Sequence, residues 1–226
     1  MKLLSRFPLG ALVLFGALAA FSTARADQPA MVQLKTSVPP PLFTDTPEPF
    51  SGIPNMAPSQ AAKAKTVVMV PATAVNLAKG KPATSSDNEP TLGDMSMLTD
   101  GVKEGDEGNY IELRKGKQWV QIDLGKTSNI YAVVVWHFFS QARVYHGVVV
   151  QISDDPNFVQ NVKTVFNNDY NNSLGFGVGK DYSYIESNEG KTIDTKGTQG
   201  RYVRLYSNGN TTNEMNHYIE VEVWGT

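Results

Sequence analysis

The sequence of 226 residues contains no cysteine, so a fold held together by disulfides is excluded. The same absence excludes a lipoprotein anchored through a cysteine near its leader. After the first 21 residues, no apolar run approaches the roughly 20 residues that a membrane-spanning helix needs. An excess of positive charge is also missing, because the net charge is −2, and the composition therefore gives no support for a nucleic-acid partner.

The first 26 residues have the pattern of an export signal. Lys2 and Arg6 precede an apolar run over 7–21, and Ala24 and Ala26 form an A-x-A cleavage site. We therefore predict a signal peptide over residues 1–26 that is cleaved near Ala26, with a retained membrane anchor as the alternative. Cleavage would remove three basic residues and no acidic residue, which changes the net charge from −2 to −5. The predicted location is secreted or periplasmic.

Residues 27–73 are rich in proline and hold nine of the 13 prolines of the chain. Proline fixes φ and lacks an N–H donor, so this segment is not expected to form the interior of a sheet or helix. Five scattered apolar residues are more than a plain linker needs: Leu42, Phe43, Phe50, Ile53 and Met56. Three interpretations stay open, namely an arm that lies along the folded domain, a strap that docks a partner, and a disordered linker.

The rest of the chain alternates short apolar runs with Gly, Asn and Asp turns. Residues 119–124, 202–206 and 218–224 alternate apolar and polar side chains, which is the period of a half-buried strand. The β-branched runs over 130–138 and 144–152 suggest a hairpin. Many short strands without a long amphipathic helix predict an all-β protein, either a sandwich or a barrel.

Six short blocks follow one another in this region. They are Asn76–Ala83, Leu98–Gly101, Trp119–Gly125, Val150–Asp155, Gly200–Leu205 and Glu220–Gly225. Together they resemble discoidin domains, also called coagulation factor five/eight (F5/8) type C domains, which share a galactose-binding-like jelly roll with family 32 carbohydrate-binding modules. The resemblance covers residues 74–226 and implies a jelly-roll β-sandwich. It fixes the ligand less firmly, because one fold carries many functions.

The resemblance also implies a structural Ca²⁺ near the chain ends of the domain. Carried over by position, the ligands are the carboxylates of Asp100 and Glu220 and main-chain carbonyls, which suits a cation that prefers six to eight hard oxygens. The carbonyls belong to Met97, Val102 and Ile219, and Gly105 occupies the position where similar domains often have Thr. The alternative is that Asp100 only caps a turn and that Glu220 is a solvated strand residue.

In similar carbohydrate-binding modules, the sugar lies on loops at one end of the sandwich, held by His, Arg and Asn side chains above an aromatic ring. The residues that match this chemistry are His137, Arg143, Tyr145, Asn208, Asn210, Asn213 and His217. The final loop lacks an aromatic residue, so Phe139, Tyr145, Tyr170 or Phe176 would have to supply the ring. The alternative assigns the aromatic residues to the core and the asparagines to turns.

These observations predict a non-catalytic binding module rather than an enzyme. The G-x-S-x-G and H-E-x-x-H motifs are missing, and the spacing of the three histidines matches no familiar zinc site. The expected partner is a glycan, such as an extracellular polysaccharide. A second hypothesis is an adhesion module that binds another extracellular protein through the sandwich surface or the Pro-rich segment. Binding to membrane lipids is disfavoured by the acidic balance of the chain.

Overall fold

The computed structural model describes residues 29–41, 50–58 and 67–226. The predicted signal peptide, together with Leu42 and Phe43, lies outside the described residues. Within them, none of the helical segments has the length and apolar character needed to cross a membrane.

The regular secondary structure of the described residues is almost entirely antiparallel strand. These are β1 (Met31–Gln33), β2 (Met69–Pro71), β3 (Val75–Asn76), β4 (Ala83–Ser85), β5 (Ile111–Leu113), β6 (Gln118–Trp136), β7 (Val149–Ser153), β8 (Lys163–Asn167), β9 (Lys191–Ser207), β10 (Asn216–Tyr218) and β11 (Glu220–Gly225), with a short 3-10 helix at Met95–Thr99. A seven-stranded sheet has the order β3-β11-β6-β9-β7-β8, and β4 also pairs with β6.

The main sheet has two halves, and the long strands β6 and β9 take part in both of them. The first half of β6 pairs with β4, while its second half pairs with β11. Register shifts after Asp123 and after Ile130 interrupt the β6–β9 ladder between the two halves, as expected for bulges that bend a sheet. The inward side chains of both halves, such as Val120, Ile122 and Val133, belong to one buried core. The predicted all-β jelly-roll sandwich is therefore confirmed.

The predicted hairpin between residues 130–138 and 144–152 is wrong. β7 pairs with β8 and β9, and the partners of the second half of β6 are β9 and β11. Residues 137–148 are instead a loop that crosses one end of the sandwich, and the core strand β7 begins only after it.

Described parts of the Pro-rich segment contact the domain. Two short strands of the segment pair with each other: β1, which is free of proline, and β2, which ends at Pro71. Leu34 packs against the buried cluster around Trp136, and the Asn188 side chain donates to the Pro39 carbonyl over 2.7 Å. Further along the segment, the Asn55 amide donates to the main chain at Asn168 and Asp181, each over 3.0 Å.

The small sheet of β5 and β10 covers the end of the core beside the long loops. Its pairing places Glu112 directly opposite His217. Ile111, Leu113 and Tyr218 of these strands are fully buried in the main core. This packing fixes the positions of the polar side chains that point out from the same strands.

Candidate functional site

An open cleft of about 410 Å³ lies beside the β5–β10 sheet. We call it the aromatic cleft, and its lining includes Glu107, Tyr110, Glu112, Phe138, Arg143 and His217. Its volume lies in the lower part of the range for ligand sites, which is roughly 300–1,000 Å³. An open cleft of this size suits a small polar ligand held partly in solvent.

Two half-buried rings supply the apolar surface of the aromatic cleft. Tyr110 and Phe138 meet edge to face, with 4.7 Å between ring centroids. Burial raises the pKa of Tyr110, and the negative charges of Glu112 and Glu107 act in the same direction. The phenol is therefore un-ionised at neutral pH and keeps its O–H group as a donor.

Arg143 provides the positive charge of the aromatic cleft. Its guanidinium carbon lies 4.6 Å from the centre of the Phe138 ring, and Nη2 donates to the Gln141 side chain over 3.0 Å. The residue is only 4% exposed, and among the described residues its buried Nε has no hydrogen-bond partner. The ring and the surrounding packing hold the guanidinium in one orientation at the cleft wall.

His217 is held between two hydrogen bonds. Its Nε2 lies 3.0 Å from Glu112 Oε2, and its Nδ1 lies 2.8 Å from the Tyr145 hydroxyl. Since a carboxylate only accepts, Nε2 carries the proton and Nδ1 accepts from Tyr145. Burial lowers the pKa of His217 to about 3, with Arg143 and His137 as further causes. His217 is thus a neutral positioning group.

Two predicted contact residues need correction, because a side chain with no exposed surface cannot touch a ligand in a cleft. His137 is fully buried, and its Nδ1 lies 2.8 Å from Glu186 Oε1. Tyr145 is also buried and stacks on the His137 ring, with 4.4 Å between centroids. Both residues support the cleft from below.

A second, shallower cleft of about 360 Å³ lies next to the first. We call it the amide cleft, and it is lined by Gly116, His146 and the loop from Asn208 to Glu214. Thr212 and Asn213 line both clefts and separate them. We call this pair the ridge.

Asn210 organises the loop that carries the ridge. Its side-chain oxygen accepts from the N–H groups of Thr212 and Asn213, while its amide donates to Asn213 Oδ1 and to the Met215 carbonyl. Because these bonds use both ends of the amide, we move Asn210 from the predicted contact residues to the supporting ones. Asn208 is half-buried in the amide cleft, and Asn213 is exposed on the ridge.

The other residues that were predicted to supply an aromatic ring for the sugar lie outside the aromatic cleft. Phe139 is buried in the cluster around Trp136, and Phe176 packs on Tyr206, with 4.6 Å between centroids. Tyr170 is exposed on the loop between β8 and β9. The aromatic cleft uses Tyr110 and Phe138 in their place.

The predicted calcium corner brings two of its carboxylates together. The N–H of Gly101 donates to Glu220 Oε2 over 3.1 Å, and the N–H of Val102 donates to Asp100 Oδ1 over 2.8 Å. Burial raises the pKa of Glu220 to about 8, and the charges of Asp100 and Glu222 act in the same direction. Glu220 Oε1 is buried, and no described residue bonds to it. The Glu220 carboxyl group therefore has one buried oxygen that could accept a ligand.

The remaining predicted ligands are near Asp100 or Glu220 along the chain. In the described part of the chain, no three His, Cys, Asp or Glu side chains are grouped as a metal site, so a cation here would need main-chain oxygens. Met97 lies in the 3-10 helix, and Ile219 is buried between β10 and β11. The Gly105 carbonyl already accepts from the Ser140 hydroxyl.

A family model matches a large part of the described β-structure. Residues 99–205 match the F5/8 type C family model that is described as "NedA-like, galactose-binding domain". No curated protein matches the sequence.

Several solved structures are similar to this chain. Chitosan-binding module 1 of a chitosanase/glucanase from Paenibacillus sp. IK-5 is 22% identical, with a TM-score of 0.48, and the match covers 67% of this chain and 99% of the module. A fucose-binding module from Streptococcus pneumoniae, SpX-3, is 22% identical with a TM-score of 0.48, over 66% of this chain and 96% of that one. The CBM32 of AlyQ, in complex with 4,5-unsaturated mannuronic acid, is 18% identical with a TM-score of 0.41, over 63% and 92%. The part of the chain that matches the family model, residues 99–205, contains β5 to β8 and most of β9.

Proposed function

We propose that this domain is a non-catalytic carbohydrate-binding module that holds a glycan in the aromatic cleft. The observation that carries the proposal is the convergence of Tyr110, Phe138 and Arg143 in one open cleft beside a rigid asparagine loop. The C–H face of a pyranose packs on aromatic rings, while its hydroxyl groups need fixed donors and acceptors. The family model that matches residues 99–205 is described as galactose-binding, which agrees with this assignment.

The charges of the cleft favour a neutral sugar. Glu107 and Glu112 outnumber the single guanidinium of Arg143 among the lining residues, and Arg143 is already bonded to Gln141. A uronic acid would bring a third negative charge to this cleft, so we expect it to bind more weakly than a neutral hexose. With an open site and few charged contacts, the expected affinity per site is on the order of millimolar to micromolar.

The polar groups of the cleft support binding rather than catalysis. Both ring nitrogens of His217 are engaged, and the His137 ring is buried beneath the cleft. Neither histidine is therefore placed to act as a general base at the surface. Together with the predicted signal peptide, this describes a module that attaches to glycan outside the cytoplasm.

We also propose that Ca²⁺ binds at the corner of Asp100 and Glu220. The buried, unpartnered oxygen of Glu220 fits a cation that prefers carboxylate and carbonyl oxygens. The carboxylates of Asp100 and Glu220 would hold the ion with the carbonyls of Met97, Val102 and Ile219. Such an ion would join the loop after the 3-10 helix to β11 and would stabilise the folded domain.

Isothermal titration calorimetry of the full chain with galactose, N-acetylglucosamine and galacturonic acid tests the sugar site. We expect Tyr110→Ala to weaken binding of the neutral sugars at least about tenfold, since an aromatic contact contributes about 1.4 kcal/mol. Tyr170→Ala removes an exposed ring that lines neither cleft and should leave binding unchanged. Equal effects of the two substitutions, or no binding of any sugar, would contradict the proposal.

A further inference from the structure

The amide cleft has the polar character of a sugar site but lacks an aromatic ring. Its lining consists of Gly116, His146 and the loop from Asn208 to Glu214. An apolar platform and a set of hydrogen-bonding groups are thus found in separate clefts, with the ridge between them. Two clefts that share a wall and differ in chemistry raise the question of whether one ligand contacts both.

The polar groups of the amide cleft are available to a ligand. Among the described residues, neither the Asn208 amide nor the His146 ring has a hydrogen-bond partner. On the ridge, Asn213 uses Oδ1 for bonds from Asn210 and Met215, which leaves its amide N–H₂ to donate outward. A side-chain amide that both donates and accepts is well suited to sugar hydroxyl groups.

The ridge is rigid, which lowers the entropic cost of binding across it. Besides the bonds of Asn210, the loop is tied to the neighbouring segment, because the Thr211 N–H donates to the Val144 carbonyl over 3.0 Å and Thr211 Oγ1 accepts from the Val144 N–H over 3.1 Å. At its start, the Asn208 N–H donates to the His146 carbonyl over 2.8 Å. The two clefts are therefore held in a fixed relation before a ligand arrives.

We propose that the ligand is a linear oligosaccharide of at least two neutral sugar residues, which crosses the ridge from the aromatic cleft into the amide cleft. The inference rests on the proposed sugar site and extends it to a second subsite. One sugar packs on Tyr110 and Phe138, and the next residue of the chain is held by Asn208, His146 and the ridge amide. A monosaccharide fills only the aromatic cleft and loses the second set of contacts.

The decisive measurement compares sugar chains of increasing length. Calorimetric titrations use galactose, β-1,4-galactobiose and β-1,4-galactotriose, and in parallel N-acetylglucosamine with its β-1,4-linked dimer and trimer. For at least one series, we expect the disaccharide to bind at least tenfold more tightly than the monosaccharide. Asn208→Ala and His146→Ala should abolish this gain and leave monosaccharide binding unchanged, while Tyr110→Ala should weaken both.

Asn157→Ala serves as a matched control, because Asn157 is exposed on another loop and lines neither cleft. Amide chemical shifts of each variant check that the loop keeps its fold, and shift changes on adding the disaccharide should extend to Asn208 and His146. Equal affinities for monosaccharides and disaccharides, with no effect of Asn208→Ala or His146→Ala, would overturn the second subsite while leaving the proposed function in place. Failure of every sugar to bind would overturn both.

Discussion

The Tyr145 hydroxyl donates to Nδ1 of His217 over 2.8 Å, although 72 residues separate them in the sequence. The opposite nitrogen of the same ring faces Glu112, and Arg143 and His137 lie close enough to disfavour a positive charge on it. Burial of this neutral imidazole therefore makes the aromatic cleft sensitive to acid.

The first prediction concerns this sensitivity. The folded pKa of His217 is about 3, below its ordinary value of 6.5, so the unfolded chain binds more protons between these values. His217 therefore makes the protein less stable as the pH falls from about 6.5 towards 3, by up to about 1.4 kcal/mol per pH unit. Above about pH 7.5, where the unfolded chain has also released this proton, the contribution is constant.

The comparison of wild type with His217→Asn isolates the effect from that of other titrating groups. At pH 7 the variant should be less stable, because it loses the bond to Tyr145 or the bond to Glu112. Urea unfolding at pH 7, 6, 5 and 4 should show the gap between the two proteins narrowing as the pH falls. A gap that stays constant would show that the pKa of His217 is not depressed.

The second prediction concerns the calcium corner. An ion that binds only the folded state raises stability by about 2.7 kcal/mol when its concentration is 100 times its Kd. We expect the melting temperature of the wild type to rise with Ca²⁺ and to fall with a chelator. Asp100→Asn and Glu220→Gln should lose this response.

Asp106→Asn is the control for the calcium corner, because this nearby acidic residue is exposed and is outside the proposed ligands. Its response to Ca²⁺ should equal that of the wild type. Because burial raises the pKa of Glu220 to about 8, the carboxyl group is largely protonated at pH 7 without Ca²⁺. The neutral Glu220→Gln variant should then be about as stable as the wild type. A wild type that melts at the same temperature with chelator and with Ca²⁺ would refute the site.

Much of the fold could be predicted because its signals are local. The alternation over residues 119–124 matches burial on one face of β6. Residues 220–224 also form a strand of the main sheet, although residues 220–223 are buried on both faces, and Tyr218 belongs to β10 of the small sheet. The hairpin prediction failed because β7 pairs with β9, a partner about 50 residues away. The sequence of a strand does not by itself indicate which distant strand it pairs with.

The residues of the candidate site were likewise only partly predicted from the sequence. The sequence placed Arg143, Asn213 and His217 together, but it missed Tyr110 and Glu112, which reach the cleft through the pairing of β5 with β10. It also predicted His137 as a contact residue, whereas His137 is buried and the next residue, Phe138, lines the cleft. β6 ends at Trp136, so strand alternation no longer decides which of the next side chains faces the core.

The third prediction concerns the buried ion pair of Lys103 with Glu222, beside the contact of Lys103 with Ser37 of the Pro-rich segment. Its ammonium group lies 2.5 Å from Glu222 Oε1 and donates to the carbonyl and hydroxyl oxygens of Ser37 over 3.1 Å and 2.9 Å. The side chain is only 5% exposed. Lys103→Met leaves Glu222 without its counter-charge, and we expect it to cost about 3–5 kcal/mol of unfolding free energy.

A second substitution separates the charge effect from general damage to packing. Glu222 Oε2 accepts from the Trp224 indole N–H over 2.9 Å, and Gln keeps an acceptor oxygen for this bond. Urea unfolding should show Lys103→Met/Glu222→Gln to be more stable than Lys103→Met alone, by about 0.5–3 kcal/mol. If the double variant is no more stable, the loss arises from packing. Lys115→Met, on an exposed site, should change stability by less than about 0.5 kcal/mol.

The fourth prediction concerns Gly190, which precedes β9 and lies against the ring of Trp136. Its φ is +68°, and a Cβ atom at this position would lie 2.6 Å from Cε2 of Trp136. The ring is fully buried, and its Nε1 donates to the Asn188 carbonyl over 2.9 Å, so it cannot move aside without losing that bond. Gly190→Ala therefore combines left-handed backbone strain of about 1–2 kcal/mol with an overpacking cost of about 1–3 kcal/mol.

Gly175→Ala is the matched control, because Gly175 also has a positive φ of +81° but has no atom within 4 Å of the added Cβ. This variant should show the backbone cost alone, about 1–2 kcal/mol. Chemical denaturation followed by tryptophan fluorescence measures both values, with Trp119, Trp136 and Trp224 all contributing to the signal. Equal losses in the two variants would show that the Trp136 ring accommodates the extra methyl group, and that the contact with Gly190 does not restrict this part of the core.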